Sequence, residues 1–309
     1  YLLIKTLAIP DRLSILDDIE HKYLITPDKN LEHDNEWAYN FINNYDKSEA
    51  PFWIKKKKQE IFFIRYKNIL RNIFKEKKTF KFIDNNYTAY LNKSFRGIIH
   101  DKFKKKYWRY FSKLYSKSIK DIDTKYIYFS FHQEPEANLM IHNLQNTNQI
   151  NVLENLSKYC PINYKIVAKC HPNQIEKPPE FYKKVNSLPN VILVNQNEGS
   201  RDIIRKAEVI FCISGTLIME ALLMKKKVLV YGNSPIVKNF FPYLKCDFDN
   251  LQNKIDNYIY PNTNELVRMI AFFKNISVDI DRNQFLNNNS NEVSNKLINL
   301  FERLDGQNS

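Results

Sequence analysis

Three short stretches of this chain carry residue types that can do chemistry together. His132-Gln133-Glu134-Pro135-Glu136 sets an imidazole beside two carboxylates. Lys169-Cys170-His171-Pro172 offers an ammonium and a second imidazole. Ser214-Gly215-Thr216 offers two hydroxyls and free backbone N–H groups, with Glu220 four residues further on. Cations, hydroxyls and N–H groups near a helix start suit a phosphate. Carboxylates beside them suit proton transfer or hydrogen bonding to sugar hydroxyls. Together they fit a nucleotide-linked sugar, because the same groups stabilise a nucleotide leaving group as its charge develops. Each stretch alone has a plainer reading. Ser214 or Thr216 caps a helix, Glu220 is solvated, His171 is a structural loop histidine, and Glu134 and Glu136 are surface acids.

The elements that position these residues decide between the readings. Each stretch follows an apolar run that reads as a buried strand, over residues 126–131, 164–168 and 209–213. Residues 191–194 and 228–231 read as two more. Helices are expected over 137–159, over 200–206 with Ser200 as cap and Asp202 in the first turn, and over 217–224. Alternating strands and helices predict an α/β fold, a doubly wound parallel Rossmann-like sheet across 126–309, with two helices from about Asn262 onward. Strand carboxyl ends in such a sheet share one edge, where ligands bind. The three stretches are therefore expected to converge. Pro135 and Pro172 stop their strands from continuing, and Glu220 projects from the face of Thr216, one turn deeper.

Residues 1–125 have a different texture. Residues 1–9 read as a strand, 10–35 as polar and broken, and 36–45 as a short helix. Residues 52–120 alternate basic and aromatic side chains. Ile61, Ile64, Ile69 and Ile73 follow a helical period, as do Phe103, Tyr107, Tyr110, Phe111 and Leu114. Two or three basic amphipathic helices are expected there. The net charge of +13 divides as −5 over residues 1–54, +16 over 55–125 and +2 over 126–309. Such a block suits an anionic membrane surface or an anionic, lipid-linked glycan acceptor. The plainer reading packs the aromatics on the domain and leaves the lysines as a solvated face. No DNA- or RNA-binding pattern is present, so nucleic acid is not expected.

A chain of 309 residues has room for two domains, read here as 1–125 and 126–309. No apolar run is long enough to span a bilayer. The four cysteines have no CxxC spacing and read as reduced thiols, with neither a disulfide framework nor zinc implied. The expected place is the cytoplasm, peripheral on the inner membrane. The sequence opens on Tyr1, as a start inside a longer protein would, so the lack of a targeting segment carries little. No cofactor or metal is expected, since cations and a helix dipole can balance the developing charge.

The motifs resemble a family. Phe131-His132-Gln133-Glu134-Pro135-Glu136 is similar to the L-H-x-Q-P-E signature of bacterial capsule and surface-polysaccharide biosynthesis proteins, which include Kdo transferases. Lys169-x-His171-Pro172 and Ile213-Ser214-Gly215-Thr216, with Glu220-Ala221, resemble the same family in the same order. Bacterial sialyltransferases have a similar His-Pro motif and a Ser/Thr motif that contact a CMP leaving group. The resemblance covers about residues 126–235. It implies a GT-B architecture of two Rossmann-like domains, with a CMP-sugar or similar donor on the C-terminal one. Carried over, His171, Ser214 and Thr216 hold donor phosphate, Glu220 meets the ribose or sugar, and Glu136 lies near the sugar or acceptor. Two departures stand out. Glu134 replaces the family's Gln, and residues 1–125 do not read as a full Rossmann domain, so the acceptor half is either missing or rebuilt from basic helices. The implied activity is a glycosyltransferase for Kdo, sialic acid or another acidic sugar. A CDP-polyol phosphotransferase of the teichoic-acid type and a non-catalytic binding or export module are the alternatives.

Overall fold

The five apolar runs of the C-terminal half form one parallel sheet. The computed structural model describes residues 2–6, 12–17, 35–45, 95–134, 137–140, 142–172, 174, 177–279 and 290–305. The strands ahead of that sheet are β1 (Leu2–Thr6) and β2 (Arg12–Asp17). The sheet itself is β3 (Tyr126–Ser130), β4 (Lys165–Lys169), β5 (Val191–Leu193), β6 (Val209–Cys212) and β7 (Lys227–Val230), in the order β5-β4-β3-β6-β7. All four neighbouring pairs are parallel.

Alternation along each strand explains why both faces are covered. Ile127, Phe129, Ile166, Ala168, Val209 and Phe211 point to one face. There they meet three helices, α4 (Gln149–Tyr159), α5 (Pro179–Asn186) and α9 (Leu251–Asp256). Tyr126, Tyr128, Val167, Ile210, Cys212, Val228 and Val230 point to the other face. That face is covered by α1 (Asn35–Asn44), α6 (Ser200–Lys206), α7 (Leu217–Leu223) and α10 (Thr263–Asn275). The fold is thus the expected doubly wound α/β sheet.

The expected helix over 137–159 is broken. A short α3 (Ala137–Met140) and a 3-10 turn at Leu144–Asn146 precede α4. Asn148 caps α4 by accepting the Asn151 N–H. Asn143, fully buried, bridges to the loop after β7: its Oδ1 accepts the Asn233 N–H at 2.6 Å, and its Nδ2 donates to the Asn233 carbonyl at 3.1 Å. Those bonds hold residue 143 off the helix path.

The N-terminal elements lie against this body. Helix α1 packs along α10, with Trp37 stacked on Phe41 and the Lys274 ammonium 4.8 Å from the Trp37 ring. Helix α2 (Phe95–Tyr115) packs on α5. Strands β1 and β2 pair antiparallel, and β2 also pairs with β8 (Ser277–Asp279) near the C-terminus. Strand β2 falls in the segment expected to be broken. Its partner β8 lies more than two hundred residues away, which no local pattern reveals. Helix α8 (Pro235–Phe240) follows β7, and α11 (Ser290–Asp305) ends the described chain. The expected helices across residues 52–94 lie outside the described residues.

Candidate active site

The sheet order creates the site. From central β3 the chain moves outward through β4 and β5, then returns to add β6 and β7 on the opposite side. The carboxyl ends of β3 and β6 therefore flank the point where strand order reverses, the usual ligand crevice of such sheets. His132 follows β3, and Ser214-Gly215-Thr216 follows β6. The two stretches meet: a β-carbon at Gly215 would lie 3.4 Å from Cε1 of His132. Gly215 has φ +103°, a conformation other residues rarely adopt.

Polar side chains brace the segment after β3. The His132 N–H donates to Gln149 Oε1 at 2.6 Å, and Gln149 Nε2 donates back to the His132 carbonyl at 3.3 Å and to Glu134 Oε1. The Glu134 N–H donates to Gln174 Oε1 at 2.7 Å. The Glu134 carboxylate is ion-paired with the Lys177 ammonium. Glu134 thus holds a cation at the crevice. Glu136 and Pro135 lie outside the described residues.

The loop after β4 is shaped by a residue from another strand end. Gln196 Nε2 lies within 2.9, 3.0 and 2.8 Å of the carbonyls of His171, Pro172 and Gln174. The Gln174 N–H also returns to the His171 carbonyl at 2.9 Å. His171 and Pro172 are half-buried along this clamped loop. After β6, Ser214 is buried and Thr216 exposed. The Thr216 hydroxyl makes no capping bond to α7, so the plain capping reading does not hold for it.

Lys169 and Glu220 occupy the interior. Lys169 continues the alternation of Val167 and points to the α6 side, where its ammonium donates to Ser200 Oγ at 2.8 Å. Ser200 therefore serves Lys169, and the cap position of α6 belongs to Gly199. Glu220 is 6% exposed, which excludes the solvated reading. Burial pushes its carboxyl above the ordinary value, against the opposing pull of Arg201 and Lys169. The Arg201 guanidinium sits 4.8 Å from the Tyr45 ring. Tyr45 and Tyr128 are both pushed up to about 12, chiefly by burial and further by Glu220. A buried charged cluster thus underlies the β6 turn and ties α1 to it through Tyr45.

Sequence reasoning missed Gln149, Gln174, Lys177, Gln196 and Arg201. Gln196 carried a usable signal, since it lies just past the carboxyl end of β5, on the same edge as the motifs. Among the described residues no group of three or more His, Cys, Asp and Glu side chains is placed to hold a metal ion. The triplet Asp247-Phe248-Asp249 forms a helix start, where Asp247 and Asn250 cap each other.

No protein-family model and no curated protein matches the chain. Solved structures do resemble it. One is a beta Kdo 2,7 transferase structure of KpsC from Thermosulfurimonas dismutans, 19% identical over 58% of this chain and 54% of that one, TM-score 0.38. Another is a beta Kdo 2,4 transferase structure of KpsC from the same organism, at 12%, 54%, 54% and 0.36. A third is the UDP-GlcNAc 2-epimerase of Methanocaldococcus jannaschii, at 16%, 54%, 49% and 0.34. The chain spans about half the length of these proteins. Likeness at this level concerns the α/β fold, which the sheet order already displays. The first two are structures of Kdo transferases, a kind of protein whose motifs the sequence resembles.

Proposed function

We propose that this chain carries the donor half of a glycosyltransferase. It moves an acidic sugar of the Kdo or sialic acid kind from a CMP-linked donor to a surface polysaccharide or lipid-linked glycan. The observation that supports this best is the meeting of His132 with Gly215 at the strand-order reversal, flanked by the clamped His171 loop and the Glu134–Lys177 pair. In this reading the donor phosphate lies between the β6 turn and the His171 loop. His171, Lys177 and the Thr216 hydroxyl face its charge and stabilise CMP as it leaves. Glu134 orients Lys177, and Gln196 keeps the His171 loop in place. Lys169 and Glu220 act from below, as supports of α6 and α7. Glu136 is the acid or base nearest the sugar, and acceptor groups come from outside the parallel sheet.

The test is a thermal-shift panel of CMP, CDP, UDP, GDP and ADP on the wild type and His171→Ala. A ligand that binds only the folded state stabilises it by about 2.7 kcal/mol at roughly 100 times its dissociation constant. A CMP-selective shift that His171→Ala abolishes supports the proposal. A CDP preference moves the reading to polyol-phosphate transfer, and silence with every nucleotide moves it to a binding module.

A further inference from the structure

Helix α2 stands at the edge of the body with an aromatic band turned to solvent. Phe103, Tyr107, Tyr110 and Leu114 are 69%, 57%, 62% and 58% exposed. Their spacing of four, three and four residues places them in one line along the helix, about 16 Å long at 1.5 Å per residue. The helix does have an inward side: Phe111 and Tyr115 pack against the core formed with α4 and α5. The band lies beside that contact and touches it through the Tyr107 and Tyr110 rings, edge-on to Phe111 at 4.9 and 5.8 Å. The expectation that these aromatics pack on the domain therefore holds for Phe111 and fails for Phe103, Tyr107 and Tyr110.

The opposite flank is cationic. The helix carries seven Lys and Arg against one Asp, a net of +6. Lys104, Lys105, Lys106, Arg109 and Lys113 are all exposed, with the Lys104 ammonium 4.7 Å from the Trp108 ring. Charge selects the occupant of the band. A second copy of the chain would bring another +6 to the same place. Residues 46–94 hold thirteen basic and five acidic residues, a net of +8, and would be repelled as well. An anionic lipid surface answers both features, with aromatic and aliphatic side chains entering the headgroup boundary and lysines meeting lipid phosphates. Tyrosine suits that boundary because its ring is apolar and its hydroxyl stays wet.

We propose that α2 lies flat on an anionic membrane through Phe103, Tyr107, Tyr110 and Leu114. Bilayer insertion is shallow, and among the described residues no helix is long and apolar enough to cross a membrane. The contact needs no nucleotide, so it stands or falls separately from the donor proposal.

The test is flotation of the full chain with vesicles of phosphatidylcholine alone or with one-third phosphatidylglycerol. Wild type is expected to favour the anionic vesicles by about tenfold or more, and salt should weaken the binding. The combined Phe103→Ser, Tyr107→Ser, Tyr110→Ser, Leu114→Ser variant should lose about tenfold or more while still unfolding cooperatively, with a lower melting temperature from the lost Tyr107 and Tyr110 contacts to Phe111. Lys105→Gln with Lys106→Gln, which alters only surface charge, should lose about fivefold per charge. Equal binding by wild type and the band variant overturns the proposal, as does indifference to lipid charge. Tighter binding to a single-stranded oligonucleotide than to anionic vesicles overturns it too and makes the band a base-stacking surface.

Discussion

Gly215→Ala perturbs the point where two of the motifs touch. At φ +103° an alanine is strained, at a cost of about 1–3 kcal/mol. Losing glycine's freedom in the unfolded chain returns about 0.4–1 kcal/mol. The net expectation is a loss of roughly 0.5–2 kcal/mol. Steric contact adds little, because the new methyl would stand 3.4 Å from His132 Cε1, an ordinary van der Waals approach. The backbone would instead relax toward lower φ and turn the Ser214–Thr216 segment away from His132. Urea unfolding measures the first effect, and calorimetric titration of CMP measures the second. The expected pair is a modest stability loss with at least about tenfold weaker binding, or about 1.4 kcal/mol. A variant as stable as wild type that binds CMP equally well would refute the geometry of the turn and its place at the donor.

Other expectations follow from single residues. Lys225 has φ 55° at the end of α7, where its N–H and that of Lys226 return to the carbonyls of Leu222 and Ala221. Lys225→Gly should therefore stabilise the protein by about 1 kcal/mol in urea unfolding, and destabilisation would contradict this helix ending. Glu220 binds its proton more tightly folded than unfolded, so its contribution to stability falls as pH rises from the ordinary carboxylate value toward its raised one. Glu220→Gln should flatten that part of the stability–pH curve. Lys169→Met removes the donor to Ser200 Oγ and one of the two cations that pull on Glu220, and the lost charge-assisted hydrogen bond alone should cost about 1.5–3 kcal/mol in urea unfolding. Lys177→Met breaks a partly exposed pair, so stability should change by less than about 1 kcal/mol while the CMP-induced thermal shift collapses.

The strands were legible because buried parallel strands read as unbroken apolar runs, and all five fall within two residues of expectation. The convergence of His132 with the Ser214–Thr216 turn followed from that pattern alone. The inward direction of Lys169 was also open to view, since period-two alternation puts it on the side of Val167. Glu220 was harder to place. Helix α7 is buried from Ile218 to Leu223, so its polar residue cannot reach water, but this follows only once the covering α1 is known. The Gln149, Gln174 and Gln196 braces depend on partners 15 to 40 residues away, and glutamine has no characteristic spacing. The aromatic band of α2 was legible as a helical stripe. Its exposure was not, because periodicity shows that a face exists and leaves open what lies against it.

The most direct measurement is a crystal structure of the protein with CMP. The phosphate is expected in the crevice beside Gly215 and Thr216, within reach of His171 and Lys177. A phosphate bound elsewhere, for example in the open cavity lined by Lys125, Tyr159 and Tyr164 at the amino edge of the sheet, would contradict it.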